Sequence, residues 1–216
     1  MSIVMRTILA FMTAAAVLAL AAPAAAHPHV WVTIRSQIVY APDGRATAVR
    51  HAWTFDDMFS AFATQGMTKD KDGKIKAEDL AALAEVNVTS LKEFDYFSNA
   101  KIDGKKAPFD APKDYFLVQE NDVLVLNFTL PFKAPAKARA LDLDVYDPTY
   151  FIAFTLAEKD AMTLVGAPAK CEVVVSRPDE AGVSSMSKLS ESFFNSLGGS
   201  ANYGAQFANK VAVKCP

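Results

Sequence analysis

The three histidines of the chain are His27, His29 and His51, and the first two bracket a proline in His27-Pro28-His29. Neutral imidazole suits zinc, copper, nickel and cobalt. Cleavage after Ala26 would make His27 the first residue, where its α-amine and ring Nδ1 offer one chelate. Pro28 has no N–H to surrender, so ligation through deprotonated backbone amides is closed and side-chain ligation remains. The carboxylate pair Asp56-Asp57 would complete a small site. The expected ligands of a divalent transition metal (Zn, Ni, Co or Cu) are therefore His27, His29, Asp56 and Asp57. The plainer alternative is a frayed terminus, with Asp56 and Asp57 only capping a helix. His51 reads as a strand residue rather than a ligand.

A second constellation runs from Thr68 to Asp79 and has the outline of an EF-hand loop. Gly73 takes the sixth place, where the chain turns sharply, and Ile75 the apolar eighth. Asp70 and Asp72 stand third and fifth, and Lys74 seventh, where a backbone carbonyl would serve. Thr68 replaces the usual first aspartate, and Asp79 replaces the bidentate glutamate at the twelfth place. Fewer carboxylate oxygens imply weak binding of calcium or magnesium at best. Without metal, the same residues make an Asp-Gly turn between two helices.

Other chemistry is sparse. No Gly-x-Ser-x-Gly or phosphate-loop pattern is present, and no catalytic residues are expected. Asp142, Asp144 and Asp147 alternate along a strand end and are expected to face solvent or cap the turn at Pro148. Cys171 and Cys215 are the two cysteines, and in an exported protein an even pair reads as a disulfide. Their Cα atoms are expected at the usual bridging distance of about 5.5–6 Å.

These residues need elements to place them. Residues 29–40 and 45–55 are rich in Val, Ile and Trp on either side of Pro42-Asp43-Gly44, which predicts a long hairpin. With that turn, facing positions sum to about 86 or 87, so His29 meets Asp57 or Met58 and His51 falls near Arg35. Helical spacing predicts helices over 56–66 and 77–84, with 91–96 ambiguous. Further strands are expected over 96–102, 105–109, 115–119, 123–128, 141–146, 150–156, 171–176 and 207–214. A late helix is expected over 184–197, ended by Gly198-Gly199. The fold class is α+β: a mostly antiparallel, sandwich-like sheet structure with a small EF-hand-like helical insertion at about 56–94.

The start of the chain reads as a secretory signal over residues 1–26. Arg6 precedes an apolar run from Ile8 to Leu20, and Ala24-Ala25-Ala26 ends it with small residues. The run is short of the ~20 residues a spanning helix needs. A single domain, 27–216, is then expected in the periplasm and not embedded in the membrane. Loss of Arg6 moves the formal charge from −2 to −3. That mild acidity without a basic stripe argues against nucleic acid as a partner. With 51% apolar residues the chain has enough to build one core.

Several of these segments together resemble a known family. They are His27-Pro28-His29-Val30-Trp31, Trp53-x-Phe55-Asp56, the Asp70-x-Asp72-Gly73 loop, Val145 to Phe151 with its Tyr-Asp-Pro-Thr-Tyr-Phe sequence, and Val213-Lys214-Cys215-Pro216. The chain resembles a bacterial family of periplasmic proteins of unknown function, described as the periplasmic component of an uncharacterised ABC-type transport system. The resemblance implies metal traffic beside a nickel- or cobalt-type membrane transporter. The function expected is a transition-metal-binding accessory to a nickel, cobalt or zinc transporter. The alternatives are a copper enzyme with an N-terminal histidine ligand and a metal-free sandwich module binding protein or sugar.

Overall fold

The computed structural model describes residues 28–186, 193, 196 and 202–216. The hairpin forms as its residues dictate. β1 (Val30–Tyr40) and β2 (Arg45–Phe55) pair antiparallel, with Val32 opposite Phe55 and Ser36 opposite His51. Those pairs have the expected sum, and a bulge at Val39/Tyr40 shifts the last pair by one. Gly44 supplies the left-handed turn residue at φ +83, a conformation a Cβ would disfavour. Along β1 every second residue is buried, from Val30 and Val32 through Ile38 and Tyr40. Period-two burial sends these side chains into the core and Trp31, Arg35 and Gln37 to the opposite face.

A helical insertion follows. α1 (Asp57–Ala63) and α2 (Ala77–Leu91) flank the EF-like loop, and a 3-10 turn over Lys92–Phe97 leads back to strand. α2 runs a full two turns beyond the expected end at Ala84. Val86, Val88 and Thr89 lower helix propensity, but Val88 extends the buried Leu80–Ala84 stripe onto the core, and packing overrides propensity. Asp95, Tyr96 and Phe97 all have positive φ, so the strand expected from residue 96 begins only at Ser98.

The rest is strand: β3 (Ser98–Ile102), β4 (Lys105–Lys106), β5 (Lys113–Glu120), β6 (Val123–Lys137), β7 (Ala140–Val145), β8 (Ile152–Leu156), β9 (Met162–Val165), β10 (Glu172–Ser176) and β11 (Asn209–Lys214). A six-stranded sheet has the order β5-β6-β2-β1-β8, with β9 also on β1, and a five-stranded sheet has the order β10-β11-β7-β3-β4. Two sheets face each other across one core, and the fold is α+β, mostly antiparallel and sandwich-like. β8 and β9 both pair parallel with β1. The expected strand 105–109 shrinks to two residues, with Phe109 making an isolated bridge to Phe132. β6 runs past the expected end at Phe128, through Pro131 to Lys137. The proline is tolerated because β2 shifts register opposite it, between Ala46 and Ala48. β9 had not been expected at all.

The core lies between the sheets. Ile34, Ile38, Val49, Trp53, Leu126, Phe128 and Leu130 line one side, and Leu141, Leu143, Val145 and Val213 the other. Each such side chain contributes roughly 1.5–3 kcal/mol by leaving water. Near the end of the chain α3 (Glu180–Met186) starts before the expected helix; most of the expected segment 184–197 lies outside the described residues. Among the described residues no helix is long and apolar enough to cross a membrane.

Candidate functional site

The segment that carries His29 is held from three directions. The His29 backbone N–H donates to the Phe151 carbonyl at 2.9 Å, and the imidazole lies against the Phe151 ring, with centroids 4.5 Å apart. Two residues on, the Trp31 N–H donates to Asp56 Oδ2 at 2.8 Å, and the Trp31 carbonyl accepts from the Asp56 N–H at 3.0 Å. The other oxygen of Asp56 caps α1 by accepting from the Phe59 N–H at 2.7 Å. One carboxylate therefore starts a helix and clamps the first strand to it.

Phe151 is itself placed by the Tyr-Asp-Pro-Thr-Tyr-Phe sequence. Asp147 is buried; its Oδ1 accepts from the Thr149 N–H and hydroxyl, and its Oδ2 from the Ile152 N–H at 2.9 Å. This carboxylate caps the turn and does not face solvent, the other role expected for it. Tyr150 takes a left-handed conformation, φ 60, inside that turn. Gly204 packs so tightly beneath it that an added Cβ would collide with the Asp147 carbonyl, and the Gly204 N–H donates to the Pro148 carbonyl at 2.8 Å. The corner is a rigid seat for Phe151, and through Phe151 for His29. The motif reads as architecture that holds the start of β1.

His29 and Asp57 are both exposed at this edge. Asp57 has one oxygen engaged, Oδ1, by the Met58 N–H. Among the described residues no three His, Cys, Asp or Glu side chains gather as a metal site. His27 lies outside the described residues.

The EF-like loop is closed by its own atoms. Asp70 Oδ1 accepts from the Asp72 and Lys74 N–H groups, both at 2.9 Å, and Gly73 turns at φ +77. Ile75 is buried and its N–H donates to Gln119 Oε1 at 3.2 Å. The loop thereby docks on β5. Thr68, Asp70, Asp72 and Lys74 are exposed and Asp79 half-buried at the start of α2.

His51 is buried and doubly bonded, to Ser36 Oγ at 2.7 Å through Nδ1 and to Ser98 Oγ at 3.3 Å through Nε2. Ser98 gives its own proton to the Tyr96 carbonyl, so it accepts from Nε2–H, and Ser36 donates to Nδ1. Both nitrogens are engaged, which takes His51 out of the ligand set a copper enzyme would need. Burial pushes its pKa down to about 3.

Cys171 and Cys215 form a disulfide with Cα atoms 4.2 Å apart, closer than expected. They extend the Glu172–Lys214 pair of β10 and β11 by one step. The Cys215 N–H turns away to the Arg139 carbonyl, which makes this a non-hydrogen-bonded cross-strand position, where Cα atoms approach to about 4.5 Å.

A family model described as "protein of unknown function (DUF1007)" matches residues 12–215. The chain belongs to this family. An uncharacterised protein of Haemophilus influenzae is 28% identical over 199 residues, covering 88% of this chain and 91% of its own length. Of the signals that could have revealed the site, the roles of Asp56 as clamp and Asp147 as corner were hidden. Both are ordinary capping aspartates by spacing; what spacing does not show is the bond from the Trp31 N–H to Asp56 and the seat that the turn at Asp147 gives Phe151 against His29.

Proposed function

We propose that this member of the family is an exported accessory protein of the periplasm. It would hold a divalent transition ion of the zinc, nickel, cobalt or copper group as cargo for a nickel-, cobalt- or zinc-type membrane transporter. The observation that supports this reading is the seating of His29: ring against Phe151, N–H on the Phe151 carbonyl, and the next turn of strand clamped by Asp56. A loose end needs no such support, whereas an ion site gains affinity when its ligands are held in place. In this reading His27 supplies its α-amine and imidazole, His29 a second imidazole and Asp57 a carboxylate. Asp56, with both oxygens engaged by backbone N–H groups, orients the set.

The test is calorimetric titration of Zn²⁺, Ni²⁺, Co²⁺ and Cu²⁺ into protein beginning at His27, beside a form with one extra residue before it. The native start should bind one ion and the extended form far more weakly, with every side chain retained. His29→Ala and Asp57→Asn should each weaken binding, while His51→Ala should leave the stoichiometry unchanged. Affinity should fall as pH drops through ~6–7, because amine and imidazoles must shed protons to bind. Equal binding by the extended form would overturn the terminal chelate.

A further inference from the structure

The outer face of the six-stranded sheet, away from the core, forms a trough of about 620 Å³ over β1, β2 and β6, within the range of sites that take small ligands. Strand register fixes what lies on its floor. Arg35 is opposite Ala52 and Gln37 opposite Arg50, so the two arginines are diagonal neighbours on one face, roughly 7–8 Å apart or less at Cβ. The rows continue from Arg50 to Thr129 and from Ala52 to Asn127, and from Asn127 to Phe116 on β5.

Both arginines are exposed, and among the described residues neither is ion-paired. Arg45, by contrast, is bound by Asp43 at 2.7 Å. Two neighbouring guanidinium groups that form no ion pair keep their donors available, and together they suit a planar carboxylate. The walls have a different chemistry. Phe116 presents an apolar ring, 51% exposed, while Asp114 and Asp160, both exposed, also line the trough and offer acceptors. Both aspartates take the left-handed conformation at φ 52, which aspartate adopts more readily than most residues.

These groups select among ligands. A phosphate carries about −1.5 to −2 charge near pH 7 and would be repelled by the two aspartates more than a singly charged carboxylate, and a neutral sugar would leave the arginines unused. A bare dicarboxylate would give Phe116, Asp114 and Asp160 nothing to do. A sugar acid uses all of them: its carboxylate for the arginines, a C–H face for the aromatic ring, and hydroxyls that donate to aspartate and pair with Asn127 and Gln37. We propose that this sheet face is a binding site for an acidic, uronate-type saccharide, with Arg35 and Arg50 as the carboxylate clamp and Phe116 as the stacking platform.

The site is separate from the His29 edge, and its test is run on the intact exported chain in EDTA, so that the outcome is independent of any metal. Calorimetric titration would use tetragalacturonate, with a neutral galactose oligomer of equal length and succinate as comparison ligands. Tetragalacturonate should bind, and the other two should bind at least about tenfold more weakly. Arg35→Gln and Arg50→Gln should each cost about tenfold or more, since a bond to a charged group is lost; Phe116→Ala should cost less but measurably. All three positions are exposed, and an unchanged melting curve confirms that each variant is folded. Absence of tetragalacturonate binding at millimolar concentration would overturn the proposal. So would equal binding of the neutral oligomer or of succinate, or full affinity in a folded double-arginine variant.

Discussion

Burial keeps the His51 imidazole neutral, with its pKa lowered to about 3, because the folded protein gives a charged ring no water and only two serine hydroxyls. In the unfolded chain the same ring titrates near its ordinary value of about 6.5. Between these values the unfolded state takes up a proton that the folded state refuses. The contribution of this residue is intact above pH ~6.5 and is lost as pH falls toward 3, at about 1.4 kcal/mol per pH unit. Unfolding in denaturant should show roughly 2 kcal/mol less stability at pH 5 than at pH 7 from this residue. His51→Gln cannot titrate, and it should be less stable than the native chain at pH 7 but flatter against pH. A variant with the native slope would show that other groups set the acid response. Asp147 gives a second test on one side chain. It is a buried carboxylate accepting three hydrogen bonds, so Asp147→Ala should cost about 2–4 kcal/mol by leaving the Thr149 and Ile152 donors unpaired. The His29 ring resonances should also shift in the NMR spectrum as the Phe151 seat loosens.

The EF-like element shows how a loop keeps its shape after losing ligands. Asp70 already folds the loop by accepting two backbone N–H groups, Gly73 makes the turn, and Ile75 anchors it to the core. These bonds shape the loop by themselves, so Thr68 at the first place lacks a charge and Asp79 at the twelfth lacks bidentate reach without loss of structure. Thr68→Asp with Asp79→Glu should therefore raise calcium affinity with little change in melting temperature of the ion-free protein. A native loop that binds Ca²⁺ at micromolar concentration or tighter would show that the missing carboxylates matter less than the ligand count implies. Gly73→Ala should be the damaging change here, at roughly 1 kcal/mol, because φ +77 is a left-handed conformation that a residue with a Cβ adopts at a cost, although the added Cβ would meet no other group.

At the scale of the molecule, what could be read in advance was whatever local patterning controls. The Asp43-Gly44 turn set the β1–β2 register, and alternation set which faces are buried. Neighbours across the sheet were not legible: nothing in the five residues of β8 or the four of β9 says that both lie parallel to β1, because a two-residue period names a face and not a partner. The His29 edge depends on that pairing, so its outline and the capping roles of Asp56 and Asp147 were visible, while the bond from the Trp31 N–H to Asp56 was not. The disulfide tests how far such long-range pairing holds the fold. β10 is an edge strand whose ladder runs to β11 alone, and its residues are exposed or half-buried, so little apolar burial keeps it in place. The bridge spans a sequence separation of 44, which on the loop-entropy account corresponds to about 4 kcal/mol of stabilisation. Replacing Cys171 and Cys215 by Ala should lower stability by roughly 3–4 kcal/mol, and β10 should be the first strand to lose protection in hydrogen exchange. β1, β2 and β6, which bury Trp53, Phe128 and Leu126, should exchange only on global unfolding. Uniform loss of protection through both sheets would mean that the bridge closes the sandwich as a whole rather than fastening its last edge.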